Sequence, residues 1–188
     1  MNKYHERFLQ SFACENIVAL FSRYRGGPKE VTESWAMLEA AKKYVPDLNE
    51  RIVIVVGDGC SPRTGALFAY FTAADVISVD PNFNLAHWGE HCEKQAAMGF
   101  PVRRMRLIAG KIEDHEIDCG GKACVVVWPH SHAPMNAARI INYTARTDIS
   151  MPCCVAIPSA WMERPHIIYS DRHVASPKRQ VHVWGDGA

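Results

Sequence analysis

Residues 52–56 read Ile-Val-Ile-Val-Val and run directly into Gly57-Asp58-Gly59. A run of β-branched side chains with no polar alternation fits a strand buried on both faces, the kind found in parallel sheets. The glycines close it. Beyond this strand the chain keeps one rhythm. A helix is expected over 64–72, a second strand over Asp75–Asp80 closed by Pro81, and a helix over 84–98. A third strand follows over 102–108, a fourth over 123–128, a helix over 133–144 and a fifth strand over 154–157. Residues 166–170 and 181–184 suit a terminal antiparallel hairpin around Ala175-Ser176-Pro177. Strands alternating with helices imply a mostly parallel sheet covered on both faces, a three-layer α/β sandwich. Ahead of it, Phe8, Phe12, Ile17, Leu20 and Phe21 mark amphipathic turns over 3–24. Val31, Trp35, Leu38, Ala41 and Tyr44 mark a further helix over 30–44. The expected organisation is a single domain, with a helical N-terminal cap at 1–49 and the α/β part at 50–188.

Composition narrows the class. With 188 residues, 48% hydrophobic and 22% charged, the chain can bury a sizeable core without disulfides or metal. The 21 Lys+Arg and 20 Asp+Glu nearly cancel. No global field therefore points to nucleic acid or an anionic membrane. The longest apolar run is far shorter than a membrane span, and the first residues are polar with no signal-peptide core. The seven Cys form neither a CxxC pair nor a secretory framework. They read as reduced thiols in a cytoplasmic protein.

In open α/β sheets, ligands bind beyond the carboxyl ends of the strands. This directs attention to Gly57-Asp58-Gly59-Cys60-Ser61-Pro62-Arg63-Thr64-Gly65. Its glycines permit close approach of a ligand, and the following helix would present unpaired N–H groups, with Ser61 or Thr64 as its cap. A Walker A loop is excluded, because no Lys follows Gly65. A dinucleotide fingerprint is incomplete, because Pro62 stands where its third glycine belongs. A phosphatase loop fails as well, since Cys60 and Arg63 are too close.

The pattern of apolar strand, Asp58, Gly-containing turn and second acid in Val-Ile-Ser-Val-Asp80-Pro resembles the class I S-adenosylmethionine-dependent methyltransferases, a Rossmann-like superfamily. The resemblance covers residue 51 to about residue 187. It implies S-adenosylmethionine as cofactor, its methionine part held by Gly57, Asp58, Gly59, Cys60, Ser61 and Gly65. It also implies that Asp80 takes the ribose hydroxyls and Phe83 covers the adenine. Glu113 or Asp114 would stand near the adenine amino group. An ionised carboxylate is apt for two adjacent hydroxyl donors. The same chemistry fits the ribose of NAD.

The fourth strand runs into Trp128-Pro129-His130-Ser131-His132. In the resembled family this segment faces the transferred methyl, so Trp128 would border the ligand. His130 or His132 could deprotonate an acceptor hydroxyl, imidazole being basic near neutral pH. The bland alternative is a pair of histidines bonded to backbone. Neither His130-x-His132 nor His87-x3-His91 completes a known metal set, and no metal is expected. Arg103-Arg104-Met105-Arg106 is the main basic cluster, better explained as a solvated sheet edge than as a nucleic-acid footprint.

The function expected on this basis is methyl transfer to an acceptor that is either a small molecule or a macromolecule. Nucleic acid is not indicated by charge, and no membrane is expected. Two alternatives remain. One is a Rossmann-like binding or scaffold protein without catalysis, favoured by the glycine-poor loop. The other is an NAD-type oxidoreductase, which lacks a Tyr/Lys or His/Asp pair.

Overall fold

The computed structural model describes residues 1–11, 14–22, 27–99, 102, 104–152 and 165–185. Three helices lead: α1 (Lys3–Leu9), α2 (Cys14–Ser22) and α3 (Gly27–Tyr44). The alternating part follows as β1 (Ile52–Val56), α4 (Arg63–Phe71), β2 (Asp75–Val79), α5 (Leu85–Ala97) and β3 (Met105–Ile108). Then come β4 (Glu116–Asp118), β5 (Cys124–Pro129), β6 (Arg139–Ile141), β7 (Arg146–Met151), β8 (Ile167–Ser170) and β9 (Gln180–Gly185).

Seven strands form one sheet in the order β3-β2-β1-β5-β7-β9-β8. The first five of that order are parallel, while β9 runs antiparallel to both β7 and β8. The strand β1 lies between β2 and β5, pairing Ile54 with Ile77 on one side and with Val126 on the other. All five of its residues are buried. The expected fold, a mostly parallel α/β sheet with a C-terminal antiparallel hairpin, is the observed one.

The pleat divides the core. Val53 and Val55 point with Val125, Val127 and Ile149 toward the helices, where Ile17, Leu20, Met37, Leu38 and Phe68 complete one cluster. Ile52, Ile54 and Val56 point to the opposite face with Ile77, Val126, Ile112, Ile117 and Ile140. Alternate residues of one strand thus serve two cores. Each fully buried Val or Ile is worth roughly 1.5–3 kcal/mol over exposure, so this run anchors both faces. The leading helices do not stand apart from the sheet, because α3 packs on α4, β5 and β7.

Two expectations need correction. Residues 133–144 form no helix: a single 3-10 turn at Met135–Ala137 leads into β6, which pairs in parallel with β4. Pro134 interrupts the start, and Ile140 is drawn into the second core beside Ile117. This ribbon supplies the layer that a helix was expected to provide. The strand beside β5 is β7, missed because Arg146-Thr147-Asp148-Ile149-Ser150-Met151 is rich in polar residues. Its buried Asp148 is matched by Arg146, at 2.7 and 2.9 Å, and by the indole N–H of Trp128 at 2.9 Å. The strand expected at 154–157 lies outside the described residues, as do Arg103, Cys153 and Trp161. Arg104 stands before β3 and donates to the Ala73 carbonyl, and Arg106 is exposed on that edge strand.

On α5, His91 is buried and stacks on Trp88 at a centroid separation of 5.3 Å. Its Nε2 has no hydrogen-bond partner among the described residues. Burial, aided by the His87 and Lys94 charges, lowers its pKa from 6.5 to about 4. The folded state therefore holds a neutral ring where the unfolded chain would take up a proton. Stability is intact above pH 6.5 and is lost as pH falls from there toward about 4. The variant His91→Leu is expected to flatten that acid-side decline, read as urea midpoints at neutral and acid pH. An equal decline in both proteins would assign the acid sensitivity elsewhere.

Candidate functional site

The carboxyl ends of β1, β2 and β5 meet at one edge of the sheet, and the residues singled out by sequence gather there unequally. Gly57 has φ +79°, and a Cβ added to it would lie 2.6 Å from Ser131 Oγ. Only glycine lets the β1 and β5 ends approach so closely. Its N–H donates to the Val79 carbonyl at 2.9 Å, tying the turn to β2.

Asp58 is buried and organises the turn from within. Its Oδ1 accepts the Thr64 N–H, while Oδ2 accepts the Gly65 N–H and the Ser78 hydroxyl, each at 2.8 Å. Burial raises its pKa, opposed by the Gly65 and Thr64 N–H groups, by Ser78 and by the Arg63 charge. The cap of α4 therefore differs from expectation. Pro62 occupies the N-cap position without a side-chain bond, and Asp58 satisfies the first free N–H groups from the strand below. Thr64 instead pairs its hydroxyl with Ser34 of α3 at 2.9 Å. Gly65 packs so tightly that a Cβ would lie 2.7 Å from Met105 Cε and 3.1 Å from Asp58 Oδ2.

Asp80, directly after β2, is in a different state. Its Oδ2 accepts the Gly59 N–H and its Oδ1 the Asn82 N–H, both at 2.8 Å. Each oxygen keeps a second lone pair for a further donor. Asp80 lines a cavity of about 390 Å³ together with Gly57, Glu113, His130, Ser131 and His132, a volume within the range of small-molecule sites. Lys111 lines it too.

A smaller cavity of about 170 Å³ opens on the other side of the β1 turn. Asp58 and Arg63 line it from the turn, and Lys29, Glu30 and Glu33 from α3. Arg63 pairs with Glu30 at 3.3 Å, and Lys29 with Glu33 at 3.2 Å. His130 lines both cavities. It has a left-handed backbone, φ +53°, uncommon for a residue other than glycine. Its Nε2 lies 2.8 Å from Glu33 Oε1.

The remaining expected residues lie further off. Cys60 is half-buried, and its carbonyl accepts the Asn84 N–H at 3.0 Å, fastening the turn to the start of α5. Ser61 and Phe83 are buried and line neither cavity. Trp128 is fully buried in the second core with its indole on Asp148, so its ring belongs to packing rather than to the cleft wall. Among the described residues no cluster of three His, Cys, Asp or Glu side chains is arranged to hold a metal ion. Nor is any helix of the described residues long and apolar enough to cross a membrane.

Glu33, Lys29 and Glu30 are the residues sequence reading missed. Glu33 falls opposite the Val31, Trp35 and Leu38 stripe, which marks it for solvent. It is nonetheless 2% exposed, and it shares the wall of the smaller cavity with Gly57, Gly59 and His130. Its only sequence signal is a carboxylate inside an otherwise well-patterned helix.

No family model matches the chain, and no curated protein matches it. Among solved structures it is similar to a mutant of MtNAS in complex with S-adenosylmethionine, at 14% identity and a TM-score of 0.53, covering 99% of this chain and 71% of that one. MtNAS in complex with MTA and tNA matches at 15% identity and a TM-score of 0.50, covering 100% and 69%. An RNA methyltransferase from Salinibacter ruber in complex with S-adenosyl-L-homocysteine matches at 14% identity and a TM-score of 0.49, covering 81% and 88%. The shared property is the fold, a mostly parallel α/β sheet of Rossmann-like type.

The two acidic residues are expected to separate by stability. Asp58→Ala strips three bonds from a buried site and should cost about 3 kcal/mol, whereas Asp80→Ala should cost about 1 kcal/mol. Urea unfolding measures both. Equal losses would show that Asp58 is not the special support of the turn.

Proposed function

We propose that this protein binds S-adenosylmethionine in the 390 Å³ cavity and transfers its methyl group to an acceptor. The observation that carries the reading is Asp80, a buried carboxylate pinned by two N–H groups at the cavity wall with acceptor capacity to spare. Vicinal hydroxyls supply the two donors it lacks. The wall also fits the rest of the group. With His130 and His132 neutral, its charged side chains are Asp80, Glu113 and Lys111, a net negative set suited to a cationic ligand. Gly57 lets the turn after β1 lie against Ser131, where a Cβ would collide with the serine side chain, and both residues line the cavity.

The α4 N-terminus argues against a dinucleotide. A pyrophosphate needs the free N–H groups of the helix start. Here the Thr64 and Gly65 N–H groups are already spent on Asp58. The methyltransferase reading is therefore favoured over the oxidoreductase.

When bound, S-adenosylmethionine supplies an electrophilic methyl group on a positively charged sulfur. The chain's own task is alignment, which removes most of the entropic barrier to such a displacement. Asp80 fixes the ribose end, the Gly57 turn holds the amino-acid end, and Glu113 lies at the rim for the adenine. His130 and His132 line the same cavity, and either can receive the acceptor's proton. Acceptor identity is left to the smaller cavity and the exposed loops, where specificity usually resides.

Calorimetric titration of S-adenosylmethionine, S-adenosylhomocysteine and NAD into wild type and Asp80→Ala tests the reading. Binding of the first two at about micromolar Kd, weakened at least about tenfold by the substitution, is expected, with no signal from NAD. Silence from both methionine ligands would end the proposal, and an NAD signal would restore the dehydrogenase.

A further inference from the structure

We propose that Glu33 is a positioning residue that holds His130 as the proton acceptor for methyl transfer, and that the 170 Å³ cavity admits the reacting arm of the acceptor. This deepens the methyl-transfer reading and rests on it.

Three independent features of this corner converge. Glu33 is almost wholly buried, with its Oε1 3.2 Å from Lys29 Nζ and 2.8 Å from His130 Nε2, and neither contact is aligned as a hydrogen bond among the described residues. Buried polar atoms are satisfied in the great majority of cases, and an exception calls for an explanation, a catalytic role being one. A close but poorly aligned pair is also the usual state of catalytic hydrogen bonds before substrate arrives. The second feature is backbone strain. His130 holds φ +53° although it carries a side chain, while its N–H donates to Met151 of β7 at 3.0 Å. Such strain persists only where surrounding structure enforces it, and it clusters at functional sites. The third is position. His130 lines the cavity assigned to the cofactor and also the smaller cavity beside α3. A group that must meet both reactants belongs at that boundary.

The carboxylate decides which ring nitrogen works. A neutral imidazole carries one N–H, and the nearby Glu33 oxygen favours placing it on Nε2. Nδ1 then keeps its lone pair. Lys29 offsets part of the carboxylate charge from the half-exposed side, and Arg63 is engaged with Glu30 one turn away. In the transfer, the acceptor's oxygen or nitrogen forms a bond to the methyl carbon as the carbon–sulfur bond breaks. The sulfur keeps that electron pair, giving neutral S-adenosylhomocysteine. The acceptor's proton passes to His130 Nδ1, and the resulting imidazolium is stabilised by Glu33 until water takes the proton. The acceptor class follows from this chemistry and from the cavity's size and polar rim. It is a molecule that presents a hydroxyl or amine on a slender arm.

The test reads the ring directly, without turnover. Proton–nitrogen correlation spectra of histidine-labelled, ligand-free protein are recorded in mildly alkaline buffer, with His130 assigned through His130→Gln. Wild type is expected to show the Nε2–H tautomer. Glu33→Gln should shift the Nδ1 resonance toward the protonated position as the other tautomer becomes populated. Its S-adenosylmethionine affinity should be unchanged by calorimetry. An Nδ1–H tautomer in wild type, a reading that needs no variant, would overturn the proposal. So would a His130 spectrum indifferent to Glu33→Gln in a protein that still unfolds cooperatively. If wild type shows the expected tautomer but binds no S-adenosylmethionine, the methyl-transfer premise fails, and the acceptor role falls with it.

Discussion

The Asp58 carboxylate joins three elements that would otherwise have no reason to hold their relative positions. It sits at the end of β1, caps the first turn of α4 through Thr64 and Gly65, and takes the Ser78 hydroxyl from β2. Burying an acid is costly unless its lone pairs are filled. Here the donors that fill them are the groups a helix start leaves unsatisfied. Two penalties cancel at one point. With α4 held this way, the Gly57 turn lies flat against β5, and Gly59 can lend its N–H to Asp80. The cleft geometry descends from that one buried residue.

The division of labour between the two acids follows from burial and bonding. Both end or follow parallel strands next to one another, and both accept backbone N–H groups at 2.8 Å. Asp58 is surrounded by donors from its own fold and has little left to offer a ligand. Asp80 holds one donor per oxygen and lines the cavity. The same residue type thus has its capacity filled by its own fold in one place and keeps acceptor capacity at a cavity wall in the other. On the far side of the turn, α3 brings Glu33 to His130, so the N-terminal helices are part of the site as well as of the core.

Legibility in the sequence tracked how local the determining physics was. β1, β2, β5 and the terminal hairpin were readable because runs such as Ile52–Val56 have no stable alternative to burial on both faces. α3 was readable from apolar spacing, and α4 and α5 stand where the alternation of strands and helices leads one to expect them. β7 was not, since Asp148 and Arg146 look unsuited to a buried strand until their mutual pairing and the Trp128 indole are known. The 133–144 segment failed for a related reason. Its apolar residues satisfy a helical spacing, but Ile140 finds its partner in Ile117, far away along the chain. At the site, Gly57, Asp80, Glu113, His130 and His132 were singled out and do line one cavity, while Trp128, Phe83 and Ser61 turn inward. A spacing can place a residue after a strand without saying which way its side chain faces.

By itself the sequence determined the class of fold and the end of the sheet where a ligand could bind. Both follow from short-range rules: β-branched runs must be covered, and glycine with acid after a strand makes an open turn. Only the tertiary structure decided what the individual polar groups do. Asp58 became a cap, Asp80 kept a free lone pair on each oxygen at a cavity wall, and Glu33 moved from an expected solvent face into contact with His130. Those outcomes depend on which donors arrive from distant segments, and hydrogen-bond capacity is spent or saved only when the partners meet.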